Sequence, residues 1–255
     1  MAFRVSQITH SAVEKLLNDR YAVIPFSHVH VPGALQGWNQ FLDEPQEVKD
    51  GWTIDVEGAG DPDDGYFRRT GTLQNGILDD IKQGFHYRYR LHPRLHRKGV
   101  SVDLYRVWIM HTLSELHRQC AATSRMIARA LDSRIHGYQF AERVGAAPAV
   151  TTSVLRLLSY DLQAARIKPV IGKRHIDKSF LTIHIAEERP GLRFARETHP
   201  YQPRSRTALI FFGDKAARLT NDLLKPLWHE VIDTSENPSA LSRWSIVYFC
   251  HILME

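Results

Sequence analysis

Apolar positions follow two different rhythms along this chain. From Ser101 to Ile135, the residues Tyr105, Trp108, Ile109, Leu113, Leu116, Cys120, Ile127 and Leu131 recur close to the helical period, which predicts one long amphipathic helix. A shorter helix is expected near the N-terminus. Ser11 offers an N-cap, Glu14 completes a capping box, and Val13, Leu16 and Leu17 supply the apolar side. A strand follows at Tyr21 to Pro25. Past residue 150 the rhythm changes. Val154 to Tyr160, Phe180 to Ala186, Leu192 to Ala195, Ala208 to Phe212 and Ser245 to Ile252 are short β-branched or aromatic runs punctuated by Pro, Gly, Asn and Asp. Short strands without long intervening helices predict a sandwich or barrel rather than repeated βαβ units.

Two stretches break the pattern. Residues 54 to 65 read as an acidic loop. Residues 84 to 99, GFHYRYRLHPRLHRKG, are basic and aromatic. They suit a solvated connector better than an anion-binding rim, the other reading that Arg beside aromatic residues allows. Phe67, Arg68 and Arg69 are candidates for the rim of a binding site.

Composition sharpens this only in places. At 255 residues the chain suits one domain, spanning 1–255, with a mainly helical part at 1–150 and a β part at 151–255. A net charge of +5 favours anionic partners weakly. The two cysteines, Cys120 and Cys250, are too few for a disulfide framework, fall in helix and strand patterns, and read as buried thiols in a reducing cytoplasm. The N-terminus shows no secretory signal, and no run of apolar residues is long enough to span a bilayer, so no membrane role is expected.

The candidate chemistry lies in the β part. In HIDKSFLTIHI (175 to 185), His175 and Asp177 are two residues apart, and in an extended strand such residues share a face. His229, in LWHEV, supplies a distant third ligand. Two histidines and one carboxylate on one side of a metal leave open positions for O₂ and a bidentate co-substrate, as in non-heme Fe(II) oxygenases. Arg243 and Ser245, again two apart in SRWSIVYF, offer a guanidinium fork and a hydroxyl suited to the distal carboxylate of 2-oxoglutarate. Other histidines compete. His184 reads as pocket-lining or buried and satisfied, His199 as a loop residue, and His251 as structural.

In this order, H-x-D-x-x-x-L-T (His175, Asp177, Leu181, Thr182), then His229, then R-x-S (Arg243, Ser245), the chain resembles the 2-oxoglutarate/Fe(II)-dependent dioxygenase superfamily, in its isopenicillin N synthase-like branch. PGLRF (190 to 194) and FFGDKAARLTND (211 to 222) resemble segments of the same family, as does FLDEPQEVKDGW (41 to 52) in the helical part. LRLLSY (155 to 160) resembles the strand whose last residue contacts the oxoacid, which gives Tyr160 that role by resemblance. The resemblance implies an α+β fold: a double-stranded β-helix core, jelly-roll and cupin-like, with flanking helices. It also implies Fe(II), 2-oxoglutarate and O₂, and hydroxylation of a small-molecule substrate coupled to decarboxylation of the oxoacid to succinate. Three alternatives stand beside it. One is an oxidase using the same triad without an oxoacid, with Arg243 and Ser245 gripping the substrate. Another is a cupin-like metal-binding protein without turnover. The weakest, resting only on the basic balance and residues 84 to 99, is a nucleic-acid-modifying enzyme.

Overall fold

The computed structural model describes residues 2–54, 64–69, 73–74, 77–78, 81–162, 170–195, 197–235 and 240–254. Most of the acidic segment at 54 to 65 lies outside these. Eight α-helices are described: α1 (Ala2–Asp19), α2 (Val31–Leu42), α3 (Gln46–Gly51), α4 (Leu91–Arg97), α5 (Ser114–Asp132), α6 (Phe140–Gly145), α7 (Ala147–Thr152) and α8 (Asp214–Leu219). The strands are β1 (Tyr21–Pro25), β2 (Thr53–Ile54), β3 (Asp64–Arg69), β4 (Leu73–Gln74), β5 (Ile77–Leu78), β6 (Lys82–Tyr87), β7 (Val154–Asp161), β8 (Val170–His175), β9 (Leu181–Glu187), β10 (Leu192–Phe194), β11 (Thr207–Phe212), β12 (His229–Ile232) and β13 (Ser242–Cys250).

Eight strands form one antiparallel sheet in the order β1-β11-β9-β13-β7-β6-β3-β2, and β10-β12-β8 form a second, facing sheet. Both meet in the jelly-roll arrangement, which is open rather than closed. The large sheet recruits β1, β2, β3 and β6 from before residue 151, so the helical and β parts interleave. Residues 84 to 99, expected as a solvated connector, are corrected accordingly. Phe85, His86 and Tyr87 are buried in β6, and Leu91 and Leu95 anchor α4. The sparse apolar content hid the strand, because β6 is half-polar and its neighbours β3 and β7 supply the packing.

Alternation explains the layering. On β7 and β13, Leu155, Leu157, Ile246 and Tyr248 face the helices and join the main core with Val13, Trp38, Phe41, Trp108 and Leu116. The opposite face turns Leu158 and Tyr160 toward Ile171 and Val231 of the small sheet. The helical layer is held by an aromatic cluster. Phe41 lies 5.4 to 6.0 Å, ring to ring, from Trp38, Trp52, Tyr66, Phe85, Tyr105 and Trp108. Two helix expectations change. Ser11 sits inside α1 rather than capping it, because the helix extends back to Ala2. The long helix expected from Ser101 is broken into a 3-10 turn at Asp103–Tyr105, a π-helical turn at Trp108–Leu113 and α5. The wider π turn lets Trp108, Ile109 and Leu113 all be buried.

Candidate active site: a His-Asp-His cluster between the two sheets

His175 ends β8, and His229 begins β12 directly opposite it, so strand register alone makes the two imidazoles neighbours, with ring centroids 4.4 Å apart. Asp177 reaches the same point differently from expectation. It lies beyond the end of β8, in the bend leading to β9, so alternation along a strand is not what aims it. The start of α8 holds that bend. The Asp177 carbonyl accepts the Asp214 N–H at 2.7 Å, and the Ser179 carbonyl accepts the Lys215 N–H at 3.1 Å. Gly213 makes this approach possible, since a β-carbon there would lie 2.3 Å from the Ser179 carbonyl oxygen. That contact gives the Gly-Asp pair of FFGDKAARLTND a physical reason.

The three side chains converge with their ligand atoms within 4.8 Å of one another. His175 Nε2 lies 3.4 Å from Asp177 Oδ1, and His229 Nε2 lies 3.7 Å from the same oxygen. Each histidine places its other nitrogen, Nδ1, against a backbone carbonyl: Lys173 at 2.7 Å and Leu227 at 3.1 Å. A carbonyl only accepts, so Nδ1 carries the proton and Nε2 keeps its lone pair for a metal. Asp177 Oδ2 accepts the Thr182 hydroxyl at 2.7 Å, leaving Oδ1 to the centre. Burial opposes ionisation of Asp177, but His229, His175 and Thr182 outweigh it and hold the carboxyl down at about 2. A buried carboxylate with two imidazole lone pairs fits a divalent iron, and the donor set of two nitrogens and one oxygen on one side matches the facial triad.

The residues expected to hold the oxoacid come together as well. Across β6, β7 and β13, Lys82, Tyr160 and Arg243 form one rung, and Ser245 sits on the next. Arg243 is only 1% exposed, and its guanidinium carbon lies 6.0 Å from the Tyr160 ring centre. Its Nη2 donates to the Arg189 carbonyl at 2.9 Å and to the buried carboxylate of Glu187. Gly191, from PGLRF, leaves room for that guanidinium, since a β-carbon there would lie 2.5 Å from the Arg243 Cζ. Glu187 is a residue that sequence reasoning missed. A β-bulge in the β9–β13 pairing breaks the alternation after His184 and returns Glu187 to the inner face. Burial opposes its ionisation, yet His184 and Arg243 together hold its pKa below the ordinary glutamate value. His184 is buried and lines the same cavity, His199 is exposed, and His251 borders the outer cavity.

The triad opens onto a cavity of about 480 Å³ lined by six cationic side chains, Arg69, Lys82, Arg88, Arg156, Lys173 and Lys178, with Asp177 as its acidic member. Phe67 backs the cavity through Arg156 rather than forming the rim, whereas Arg68 and Arg69 border an adjoining cleft. Lys82 and Arg156 also went unnoticed in the sequence. A signal for Arg156 existed: counting back by twos from Tyr160 puts it on the inner face of LRLLSY.

Among the described residues no helix is long and apolar enough to cross a membrane. No curated protein matches the chain. Solved structures that share its fold include the following three. A full-length Neurospora crassa protein, solved with alpha-KG and thymine, superposes with a TM-score of 0.74 at 20% identity, covering 97% of this chain and 80% of that one. A 2OG-Fe(II) oxygenase family protein from Caulobacter crescentus gives 0.73 at 20%, covering 98% and 83%. The Arabidopsis thaliana dioxygenase for auxin oxidation 1, solved with 2-oxoglutarate, gives 0.65 at 18%, covering 97% and 87%. Residues 152–252, which contain His175, Asp177, His229, Arg243 and Ser245, match the family described as the 2OG-Fe(II) oxygenase superfamily. The β part of the chain is thus similar in sequence to the 2OG-Fe(II) oxygenase superfamily, and the whole chain shares the fold of these solved structures.

Proposed function

We propose that this protein is an Fe(II)- and 2-oxoglutarate-dependent dioxygenase that hydroxylates a small organic anion, with His175, Asp177 and His229 as iron ligands and Arg243, Ser245 and Tyr160 as the oxoacid's anchor. The observation that carries the reading is the convergence of three ligand atoms, each oriented by a hydrogen bond on its other side, at the floor of a cationic cavity. The overall conversion consumes substrate, O₂ and 2-oxoglutarate and yields hydroxylated substrate, succinate and CO₂. Bound iron would supply the Lewis-acid and redox chemistry. The protein's own residues do the rest. His175, His229 and Asp177 present two lone pairs and one negative charge on one side, which leaves the other side open. Arg243 and Ser245 offer donors to the distal carboxylate, and Tyr160 packs beside them. The apolar walls, Leu158, Leu192, Phe211, Val231 and Val247, keep water from the inner cavity.

The anionic character of the substrate rests on the cavity's charge. Complexes of the Neurospora neighbour with thymine and of another neighbour, JOX2, with JA support a small-molecule substrate. The oxidase alternative has no observation of its own, because Arg243 sits deep beside Tyr160 rather than at the cavity mouth. The test is stoichiometry. Purified protein with Fe(II), ascorbate and 2-oxoglutarate should form succinate and CO₂ in equal amounts, accelerated by a substrate. Substrate oxidation without oxoacid consumption would replace this reading with the oxidase.

A further inference from the structure

Strand β9 touches both ends of the site. At one end the Thr182 hydroxyl donates to Asp177 Oδ2 at 2.7 Å. At the other, the Glu187 carboxylate accepts from Arg243 and stands directly across from Ser245 of β13. His184 lies between them. Thr182 and His184 share the inner face by ordinary alternation, and the bulge between His184 and Ala186 returns Glu187 to that face. An oxoacid reaching from the triad to Arg243 therefore runs alongside His184.

The imidazole is placed to donate. Its side chain is 7% exposed and lines the inner cavity, flanked across the sheet by Leu209 of β11 and Val247 of β13. Nε2 lies 3.5 Å from Glu187 Oε2, at the outer limit of a hydrogen bond, and has no hydrogen-bond partner among the described residues. The nearby carboxylate favours the tautomer that carries the proton on Nε2. A buried donor without an acceptor is costly, so this position calls for an acceptor inside the cavity.

The charge of the anchor indicates which acceptor. Arg243 is 1% exposed, and its Nη2 already serves Glu187 and the Arg189 carbonyl. Arg243 and Glu187 together sum to zero. The distal carboxylate of the oxoacid brings a second negative charge to one guanidinium in a desolvated setting, where a charge needs further hydrogen bonds. Lys82 stands two strands from Arg243, on the far side of Tyr160. His184 is on the strand next to Arg243, beside the same Glu187 carboxylate.

We propose that His184 is an oxoacid-binding residue, donating from Nε2 to the distal carboxylate of 2-oxoglutarate alongside Arg243 and Ser245. This rests on the reading of Arg243 and Ser245 as the anchor.

Calorimetry of anaerobic, Fe(II)-loaded protein tests it, with 2-oxoglutarate and with 2-oxopentanoate, which has the same carbon chain and no distal carboxylate. His184→Leu should weaken 2-oxoglutarate about tenfold to a hundredfold, the range for one hydrogen bond to a charged group, and should change 2-oxopentanoate by less than about twofold. His184→Gln keeps a donor and should recover part of the loss. Fe(II) affinity should stay within about twofold of native in both variants, because His184 is not among the proposed ligands. Comparing two oxoacids within one variant separates a lost contact from a loss of folded protein, which lowers both arms together. Native protein that takes up no 2-oxoglutarate overturns the anchor and this contact with it. Native uptake that His184→Leu leaves unchanged overturns this contact alone. So does an equal loss of both oxoacids, or a His184→Gln affinity no better than that of His184→Leu.

Discussion

The two faces of the large sheet use the same strands for opposite ends. On β7, Leu155 and Leu157 are fully buried against the helices, while Arg156, Leu158 and Tyr160 line the cavity. On β13, Ile246 and Tyr248 join the helical core, while Arg243 and Ser245, the proposed anchor, line the cavity. The outer face holds the fold by apolar burial, at roughly 1.5–3 kcal/mol per large side chain. The inner face buries His184, Glu187 and Arg243, and Asp177 and His229 are buried opposite them from the small-sheet side; all cost free energy to desolvate and are kept by pairing, His184 and Arg243 with Glu187, and His229 with Asp177. A strand alternating between these tasks cannot move by one residue without putting charge into the core and apolar groups into the site. Register is thus fixed by stability and used by function, and mutations on the two faces should separate the two effects.

The largest effect is expected at the triad. His175→Ala or His229→Ala should abolish tight Fe(II) binding and reduce succinate formation below detection, while the far-ultraviolet circular dichroism stays native. Each loses one of the three proposed protein ligands, and neither side chain belongs to the helical core. Metal analysis and a succinate assay decide it. Full activity in metal-verified His175→Ala would remove His175 from the iron.

On the other face, Phe41→Ala should cost about 3–5 kcal/mol of stability, because Phe41 is fully buried at the centre of the aromatic cluster. Denaturant unfolding measures it. The sharpening control is the 2-oxoglutarate KM of the folded fraction, which should be unchanged. A raised KM would show that the helical layer positions the anchor as well as supporting the sheet.

This contrast also explains what was legible in the sequence. Strands with a fully apolar face declared themselves: β1 and β7 run close to their expected bounds. That His175, Asp177, His229, Arg243 and Ser245 would meet in one cavity was readable, because their residue types and order suggest a common site. The short strands that hold the histidines were not. β8 ends in Gly-Lys-Arg-His and β12 is His-Glu-Val-Ile, because one side of each faces the site and the other faces solvent. Glu187 was hidden for a different reason. A bulge changes parity without changing composition, so its placement beside Arg243 depends on a register visible only in the paired strands.

The anchor gives the next effect. Arg243→Ala should raise the 2-oxoglutarate KM about a hundredfold, near 2.8 kcal/mol at 1.4 kcal/mol per decade, with iron binding close to native. Arg243→Lys should recover only part, since an ammonium lacks the fork. Gly191→Ala should shift KM in the same direction, because its β-carbon would displace the guanidinium. Titration of 2-oxoglutarate at saturating iron reads all three, and an unchanged KM in Arg243→Ala would put the anchor elsewhere.

The smallest effect concerns a histidine on the core side. His117, on α5, is fully buried among the rings of Tyr87, Tyr89 and Tyr248, 4.3 to 5.7 Å away, and its Nε2 donates to the Ser153 carbonyl at 3.1 Å. Burial, opposed by that hydrogen bond and reinforced by the Arg88 charge, lowers its pKa to about 4. The unfolded chain takes up a proton near pH 6.5, which the folded chain refuses until about 4. Between those values the unfolded state binds more protons, so stability falls as the pH drops through that window and is flat with respect to this group above it. His251, lowered to about 4 chiefly by burial, acts in the same direction. His117→Gln keeps a donor for Ser153 but cannot take up the proton. Its unfolding free energy should therefore vary less steeply with pH than that of the native protein, by up to about 1.4 kcal/mol per pH unit between pH 5 and 6. Urea unfolding of both proteins across that range tests it. Parallel curves would mean that His117 is protonated in the folded state, and that the core face carries a charge the present contrast assigns only to the inner face.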